Sequence, residues 1–512
     1  MAHEEGERAR GAEDEVKGAM ARLAGWVSSR TGLTYPLLRP VPVYSLNPFY
    51  WLGALSVIAF IIQGITGVIM MLYYIPSPTS AYATTKYIFQ SVYFGQFLQT
   101  IHLYTAYAMI FLTFMHMMRG YFVSVHKRPR EVMWVVGMLM GFVTLGFGFT
   151  GYLLPWTVVS KAGTDVGVGM MAALPPPLAS LATFLIVGAG GDATELLRFY
   201  DLHVVVLPAV LLGLLVAKMY MLETHGVAEP VTGKLTERIK RTLPIFPDVT
   251  VYLLELAAIF GVGMLLVSVL FPIQLAPEYS PQAAGQIAAQ PDWYFLWIYQ
   301  ILKISVFESA GIPVALTFVT AVLGALVVLP FIDRGDNRRM VERPKFVILG
   351  VIFIAELIVL AIWGLLTPGQ RISNLDAVEV LGGTALIVTL ALAGVYAAVR
   401  PSARSISPMS SAAPPAPKAG PRVHAQEDKW TGGAMAALMA FGGLGIGVSI
   451  DSVVQIAMFG VTTPMLSRLS ASLCLLTAAV VVALVLLRRI GIGLGGSEER
   501  TPHKVWGKLG LR

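Results

Sequence analysis

Apolar runs of about twenty residues recur along the chain, at about 50–73, 98–122, 133–154, 201–222, 250–271, 313–332, 346–366, 379–399, 433–459 and 465–487. A helix of roughly twenty residues rises about 30 Å, the thickness of a bilayer's hydrocarbon core. The pattern therefore predicts ten membrane-crossing helices. Basic residues alternate with them. The loops after the second, fourth, sixth and eighth runs hold Lys127, Arg128 and Arg130; Lys234, Arg238, Lys240 and Arg241; Arg334, Arg338, Arg339, Arg343 and Lys345; and Arg400, Arg404, Lys418, Arg422 and Lys429. The intervening loops hold little beyond Lys86, Lys161, Arg198, Lys303 and Arg371. Lys and Arg accumulate on the cytoplasmic side of membranes, so both termini are expected there, and a prokaryotic plasma membrane is the expected location.

Composition agrees with this reading. Of 512 residues, 56% are apolar and 13% charged, with a mean hydropathy of +0.70, against about 25% charge in soluble domains. The net charge of +7 is accounted for by cytoplasmic loops, so no nucleic-acid partner is expected. The single cysteine, Cys474, excludes an internal disulfide, a four-cysteine iron–sulfur cluster within the chain and a CxxCH haem attachment. Any redox cofactor held here must use other side chains.

The organisation expected from these runs is modular. Residues 1–45 lack the apolar core of a signal peptide; Val16, Met20, Leu23 and Trp26 fall on one face of an amphipathic surface helix, unless the segment is a disordered tail. Residues 401–432 read as a Pro/Ala/Ser-rich linker. It separates an eight-helix body from a two-helix appendix over 433–488, whose notable side chains are Asp451 and Cys474, and a tail over 489–512. Two outer loops, 155–200 and 272–312, are long enough to house binding sites.

Three histidines lie inside predicted spans: His102, His116 and His203. Ionisable groups at that depth are costly and usually functional. Fourteen residues separate His102 from His116, which puts them on one helix face about 21 Å apart along the axis. That arrangement suits ligands of two stacked metal centres, and imidazole is a common axial ligand of haem iron. Gly53 and Gly67 in the first span, and Gly137 and Gly151 in the third, repeat the fourteen-residue interval. A missing side chain lets a flat macrocycle lie against backbone; small-residue helix packing is the alternative.

Several motifs accompany these residues: HLYTAYAMIFLTFMH over 102–116 followed by Arg119, KRPRE over 127–131, GYLLPW over 151–156, RFYDLHVVVLP over 198–208 and PDWY over 291–294. Together they resemble cytochrome b of the Rieske/cytochrome b complexes over roughly residues 45–400. The first half is closest to the short chloroplast-type cytochrome b, and the second continues in the same chain. The resemblance implies a haem-binding four-helix bundle over 46–226 and a C-terminal cytochrome b half over 227–400. With the appendix, the expected fold is an eight-helix cytochrome b body plus two extra C-terminal transmembrane helices.

What the resemblance implies chemically is two haem b groups. His102 and His203 would bind the outer one, and His116 one side of the cytoplasmic one, with Arg119 pairing a propionate. Where the family has an arginine three residues before the first histidine, this chain has Gln99. The fourth ligand position, fifteen residues after His203, is Lys218. Lysine can bind iron only as the neutral amine. Met219, Met221 or His225 could replace it, the haem could lack this ligand or be absent, or Lys218 could snorkel to the interface. Trp51 stands where the chloroplast-type enzyme attaches a further haem, so no covalent haem is expected.

PDWY resembles the family's PEWY motif at the outer quinol-oxidation site. Asp292 would accept a quinol proton, and Tyr294 and the turn after GYLLPW would form walls. Such variants accompany low-potential quinones, so a menaquinone-type substrate is expected. The implied function is quinol oxidation with one electron passed to a Rieske iron–sulfur protein and the other across two b haems to quinone near the cytoplasm, coupled to proton translocation. Expected partners are a c-type cytochrome, blue-copper protein or other acceptor, the lipid bilayer and a second copy in a homodimer. His225, Glu223 and Asp248 are candidates for the cytoplasmic quinone site. Two competing classes are a di-haem quinone-reactive anchor of a dehydrogenase, without bifurcation, and a cofactor-free transporter with proton-relay histidines.

Overall fold

The computed structural model describes residues 40–403, except 189, 229–241, 288 and 336, together with Gly18 and Arg22. Apart from Gly18 and Arg22, the expected N-terminal amphipathic helix lies outside the described residues, as do most of the linker, both appendix helices with Asp451 and Cys474, and the tail.

Among the described residues, eight long apolar helices carry the fold: α1 (Leu52–Met71), α2 (Gly95–Phe122), α3 (Glu131–Leu153), α5 (Asp192–His225), α6 (Thr250–Leu270), α8 (Ile312–Val327), α9 (Pro344–Leu366) and α10 (Gly383–Ala403). Between them lie an outer amphipathic helix, α4 (Val158–Ala172), and a short helix, α7 (Leu296–Leu302). Each of the first eight predicted spans is thus a helix, and seven of the eight are long and apolar enough to cross a membrane. Ile61, Ile65 and Val68 on α1, and Leu266, Val269 and Leu270 on α6, are exposed, as side chains facing lipid should be. A two-stranded antiparallel ribbon, β1 (Pro40–Pro42) with β2 (Thr242–Pro244), ties the start of the described chain to the approach to α6. Residues 40–45, the end of the segment expected to be a surface helix or tail, are therefore structured.

Three boundaries differ from the sequence pattern. The loop expected over 155–200 is largely helical: α4 fills its first third, Leu178–Ile186 forms another helix, and α5 begins at Asp192. Polar residues in its first turns, Asp192 and Glu195, hide that start from a hydropathy reading. The sixth span breaks after Val327, and only a four-residue turn, Leu329–Ile332, follows. Pro330 offers no N–H and restricts the residue before it. At the other end, α10 runs three residues into the segment read as linker.

The main core joins α1, α2 and α6 through Leu52, Leu55, Ala59, Tyr104, Leu112, Leu256, Phe260 and Met264. At the end of the bundle that carries the KRPRE segment a polar cluster locks the two halves together. Asp333, between α8 and α9, accepts from His126 Nε2 at 3.0 Å, pairs with Lys127 Nζ at 3.0 Å and is bridged by Arg343. Trp134 Nε1 donates to the Leu326 carbonyl at 2.7 Å, and Tyr121 donates to that of Phe346 at 2.7 Å. Burial pulls His126 down to about 4 despite its bond to Asp333, so the ring is neutral and Nε2 carries the donated proton. Burial works to raise Asp333, but the bonds from His126 and Lys127 and the charge of Arg343 outweigh it and hold the carboxyl below its ordinary value.

Candidate functional site

Four elements bring the sequence-predicted residues into two tiers. In the outer tier the rings of His102 on α2 and His203 on α5 approach edge-on, with centroids 6.4 Å apart and planes at 60°. That separation is close to what two facing ring nitrogens need to share one metal ion at bonds of about 2 Å. A Cβ on Gly67 would begin 3.5 Å from His102 Cε1, and one on Gly151 2.5 Å from His203 Cε1. In the inner tier a Cβ on Gly53 would begin 3.1 Å from His116 Cε1, and one on Gly137 3.2 Å from Lys218 Nζ. Each glycine thus stands against one candidate ligand, and the fourth such position is filled by Lys218.

Helix register explains why fifteen residues bring Lys218 back beneath His203. Residues Leu202–Val206 form one π turn, in which the Leu207 N–H bonds to the carbonyl of Leu202. Pro208 follows immediately and supplies no N–H. A π turn absorbs one extra residue, so the fifteen-residue interval on α5 spans the distance of a fourteen-residue interval on α3.

Two threonines orient the outer pair. Thr66 Oγ1 donates to the Ile62 carbonyl at 2.7 Å and lies 2.8 Å from His102 Nδ1. Thr150 Oγ1 donates to the Gly146 carbonyl at 2.8 Å and lies 3.1 Å from His203 Nδ1. A hydroxyl has one proton, here committed to backbone, so each threonine accepts from a protonated Nδ1. Nε2 of both histidines is then the unprotonated nitrogen, the one available to a metal. In the inner tier His116 Nδ1 is buried without a hydrogen-bond partner.

Two of the alternative inner ligands are elsewhere. Met219 is 51% exposed on the outer face of α5, and His225 is exposed at the helix end, where its carbonyl accepts from Arg130 at 3.2 Å. Glu223 is exposed and Asp248 half-buried. Arg119 stacks over the Tyr50 ring, 3.9 Å from its centroid.

Against the outer tier lies a cavity of about 420 Å³. It is lined by Gly148, Phe149 and Tyr152 of α3, Gly163, Val166, Gly167 and Met170 of α4, Asp292 and Tyr294, and Ile298 and Leu316. Glycines seat the aromatic walls: a Cβ on Gly148 would meet the Tyr294 ring at 2.8 Å, and one on Gly167 the Phe149 ring at 2.5 Å. The wall expected from the turn after GYLLPW is therefore built mainly by α4, which that turn launches. Asp292 Oδ1 accepts from the Trp293 N–H at 2.7 Å, and Oδ2 from the Tyr107 hydroxyl at 2.9 Å. Burial, with the charge of Asp292 and the nearby Tyr152, keeps Tyr294 protonated well above the ordinary phenol range.

Comparison with known proteins places this geometry. The family described as cytochrome b (N-terminal)/b6/petB matches residues 107–281, and cytochrome b (C-terminal)/b6/petD matches residues 285–380. A cytochrome bc complex cytochrome b subunit from Chlorobaculum thiosulfatiphilum is 32% identical over 347 residues, covering 66% of this chain and 79% of the relative. The chain belongs to the cytochrome b family. A menaquinol:cytochrome c reductase cytochrome b subunit from Geobacillus thermodenitrificans is 35% identical over 225 residues, 41% of this chain and 98% of that one. A solved structure titled hyperthermophilic respiratory Complex III shares the fold with a TM-score of 0.57 at 24% identity, covering 74% of this chain and 98% of its own. Cytochrome b of bc-type complexes is an electron-transport membrane protein that binds b-type haem, and a pair of buried imidazoles backed by glycine on both sides fits such a group.

Within this cytochrome b, sequence reading missed several parts of the site. Thr66 and Thr150 each precede a cradle glycine, so the repeated Thr-Gly pair was the available signal. Tyr107 meets Asp292 across 185 positions, which no local pattern reveals. The KRPRE segment proves to be an anchor: Lys127 joins the Asp333 cluster, while Arg130 Nη2 donates to the carbonyls at the end of α5, His225 at 3.2 Å and Val227 at 3.3 Å. A cation at a helix C-terminus satisfies those orphan acceptors.

Proposed function

We propose that this chain is the quinol-oxidising, di-haem subunit of a Rieske/cytochrome b complex in a prokaryotic plasma membrane, with both termini cytoplasmic. His102 and His203 would hold the outer haem, and His116 and Lys218 the inner one. When bound, two b haems supply one-electron carriers at two depths, which allows the two electrons of a quinol to go to different acceptors. A Rieske protein would be the outer acceptor and quinone near the cytoplasm the inner one, with proton translocation as the coupled outcome; a c-type cytochrome or blue-copper protein would follow, and a homodimer is the expected assembly. The name of the Geobacillus relative and the aspartate of PDWY support menaquinol as substrate.

The chain's own residues divide the work. The α3–α4 wall and Tyr294 enclose an apolar ring and exclude water, while the Asp292 carboxylate, fixed at the cavity wall, accepts a proton from the quinol hydroxyl. The observation that carries the reading is the adjacency of cavity and outer tier: Gly148, Phe149 and Tyr152 line the cavity while Gly151, between them on α3, backs His203. A haem held by His102 and His203 would therefore lie close to a quinol bound in the cavity.

The test is quinol oxidation by the assembled complex carrying Asp292→Asn. With haem content unchanged, the rate should fall about 100-fold, the usual scale for losing a general base. A wild-type rate would contradict the assignment.

A further inference from the structure

We infer that Tyr107 is a positioning residue for quinol oxidation, acting through Asp292. This rests on the proposed role of Asp292 as the proton acceptor. Tyr107 lies on α2, five residues after His102, and is 4% exposed. Its hydroxyl donates to Asp292 Oδ2 at 2.9 Å, while the other carboxylate oxygen is fixed by the Trp293 backbone N–H at 2.7 Å. The phenol ring is itself held edge-on against Trp293, with centroids 6.1 Å apart and planes at 78°, and lies 6.5 Å from Tyr294.

The consequence is orientational. A carboxylate anchored at one oxygen by the backbone can still swing the other; a buried phenol on a neighbouring helix removes that freedom. A hydroxyl donor also favours the ionised, proton-accepting form of the acid. Because Tyr107 is on the helix that carries His102 and His116, the orientation of Asp292 is referenced to the ligand helix rather than to the loop that bears it.

The experiment is a double-mutant cycle in the assembled complex with Tyr107→Phe, Asp292→Asn and the pair, measuring kcat and KM for a menaquinol analogue. Phenylalanine keeps the ring contacts, and haem content with the reduced-minus-oxidised spectrum reports assembly. Tyr107→Phe should lower kcat about tenfold, the scale for losing a hydrogen bond to a charged group, with KM within about twofold. In the Asp292→Asn background the same change should cost nothing further. An equal loss in both backgrounds would overturn the inference, since Tyr107 would then act independently of Asp292. Loss in Asp292→Asn with none in Tyr107→Phe overturns it too, leaving the quinol-site reading intact. Full activity in Asp292→Asn overturns that reading and the inference together.

Discussion

The amine of Lys218 lies 3.2 Å from the point where a side chain on Gly137 would begin, the same relation that Gly53, Gly67 and Gly151 bear to three histidines. The lysine thus stands to its glycine as the three histidines stand to theirs, by geometry as well as by register. The cradles differ in tightness, and that difference has a measurable consequence. A methyl on Gly151 would stand 2.5 Å from a rigid imidazole ring, whereas one on Gly137 meets the end of a flexible chain at 3.2 Å. Gly151→Ala should therefore lose haem more severely than Gly137→Ala. Haem-to-protein ratios of the two purified variants check this, and the reverse order would contradict it.

The threonine bonds predict a tuning effect on the outer tier alone. By accepting from Nδ1, Thr66 and Thr150 make each imidazole a stronger electron donor, which favours the oxidised iron. Thr66→Val and Thr150→Val should raise the midpoint potential of the outer haem and leave the inner one unmoved. A redox titration resolving two components reads this directly; equal shifts of both would contradict the assignment of these threonines to one tier.

Much of the architecture was legible because a membrane simplifies the code. A run such as Leu52–Met71 has no charged residue and needs none, so length alone defines it. What hydropathy could not show was anything half-polar. The helix α4 mixes glycines with Lys161 and Asp165, and the first turns of α5 resemble a loop until they are seen packed against it. The candidate ligand positions, and the glycines set against them, could be picked out because glycine, histidine and lysine repeat at helical intervals. The π turn that brings Lys218 into register depends on Pro208, which a linear count of fifteen residues only hints at. Tyr107 was invisible because its partner comes from the other half of the chain.

Lys161 gives the packing of α4 a pH signature. Its side chain is 6% exposed and pairs with Asp165, with Asp192 at 3.3 Å and with Glu195 at 3.5 Å. Burial works to lower this lysine, but the Asp165 bond and the charges of Glu195, Asp165 and Asp192 outweigh it and hold it above its ordinary 10.5. The folded state therefore binds this proton more tightly than the unfolded chain does. The stabilisation is fully present below the ordinary lysine pKa and is lost as pH rises beyond it toward the folded value. Lys161→Met should cost about 3 kcal/mol by leaving Glu195 buried without its cation. Thermal unfolding in detergent at pH 7 should show a lowered Tm, and the deficit should shrink above about pH 10.5. An unchanged Tm at pH 7 would contradict the clamp.

The central claim is that this chain holds two b haems and that Lys218 is a ligand of the inner one. A pyridine haemochrome assay with parallel protein quantification, on wild type and Lys218→Ala, tests it most directly. The account predicts two haems b per wild-type chain, falling towards one in the variant. Two in both proteins would move the ligand away from Lys218, and fewer than two in the wild type would contradict the two-tier bundle itself.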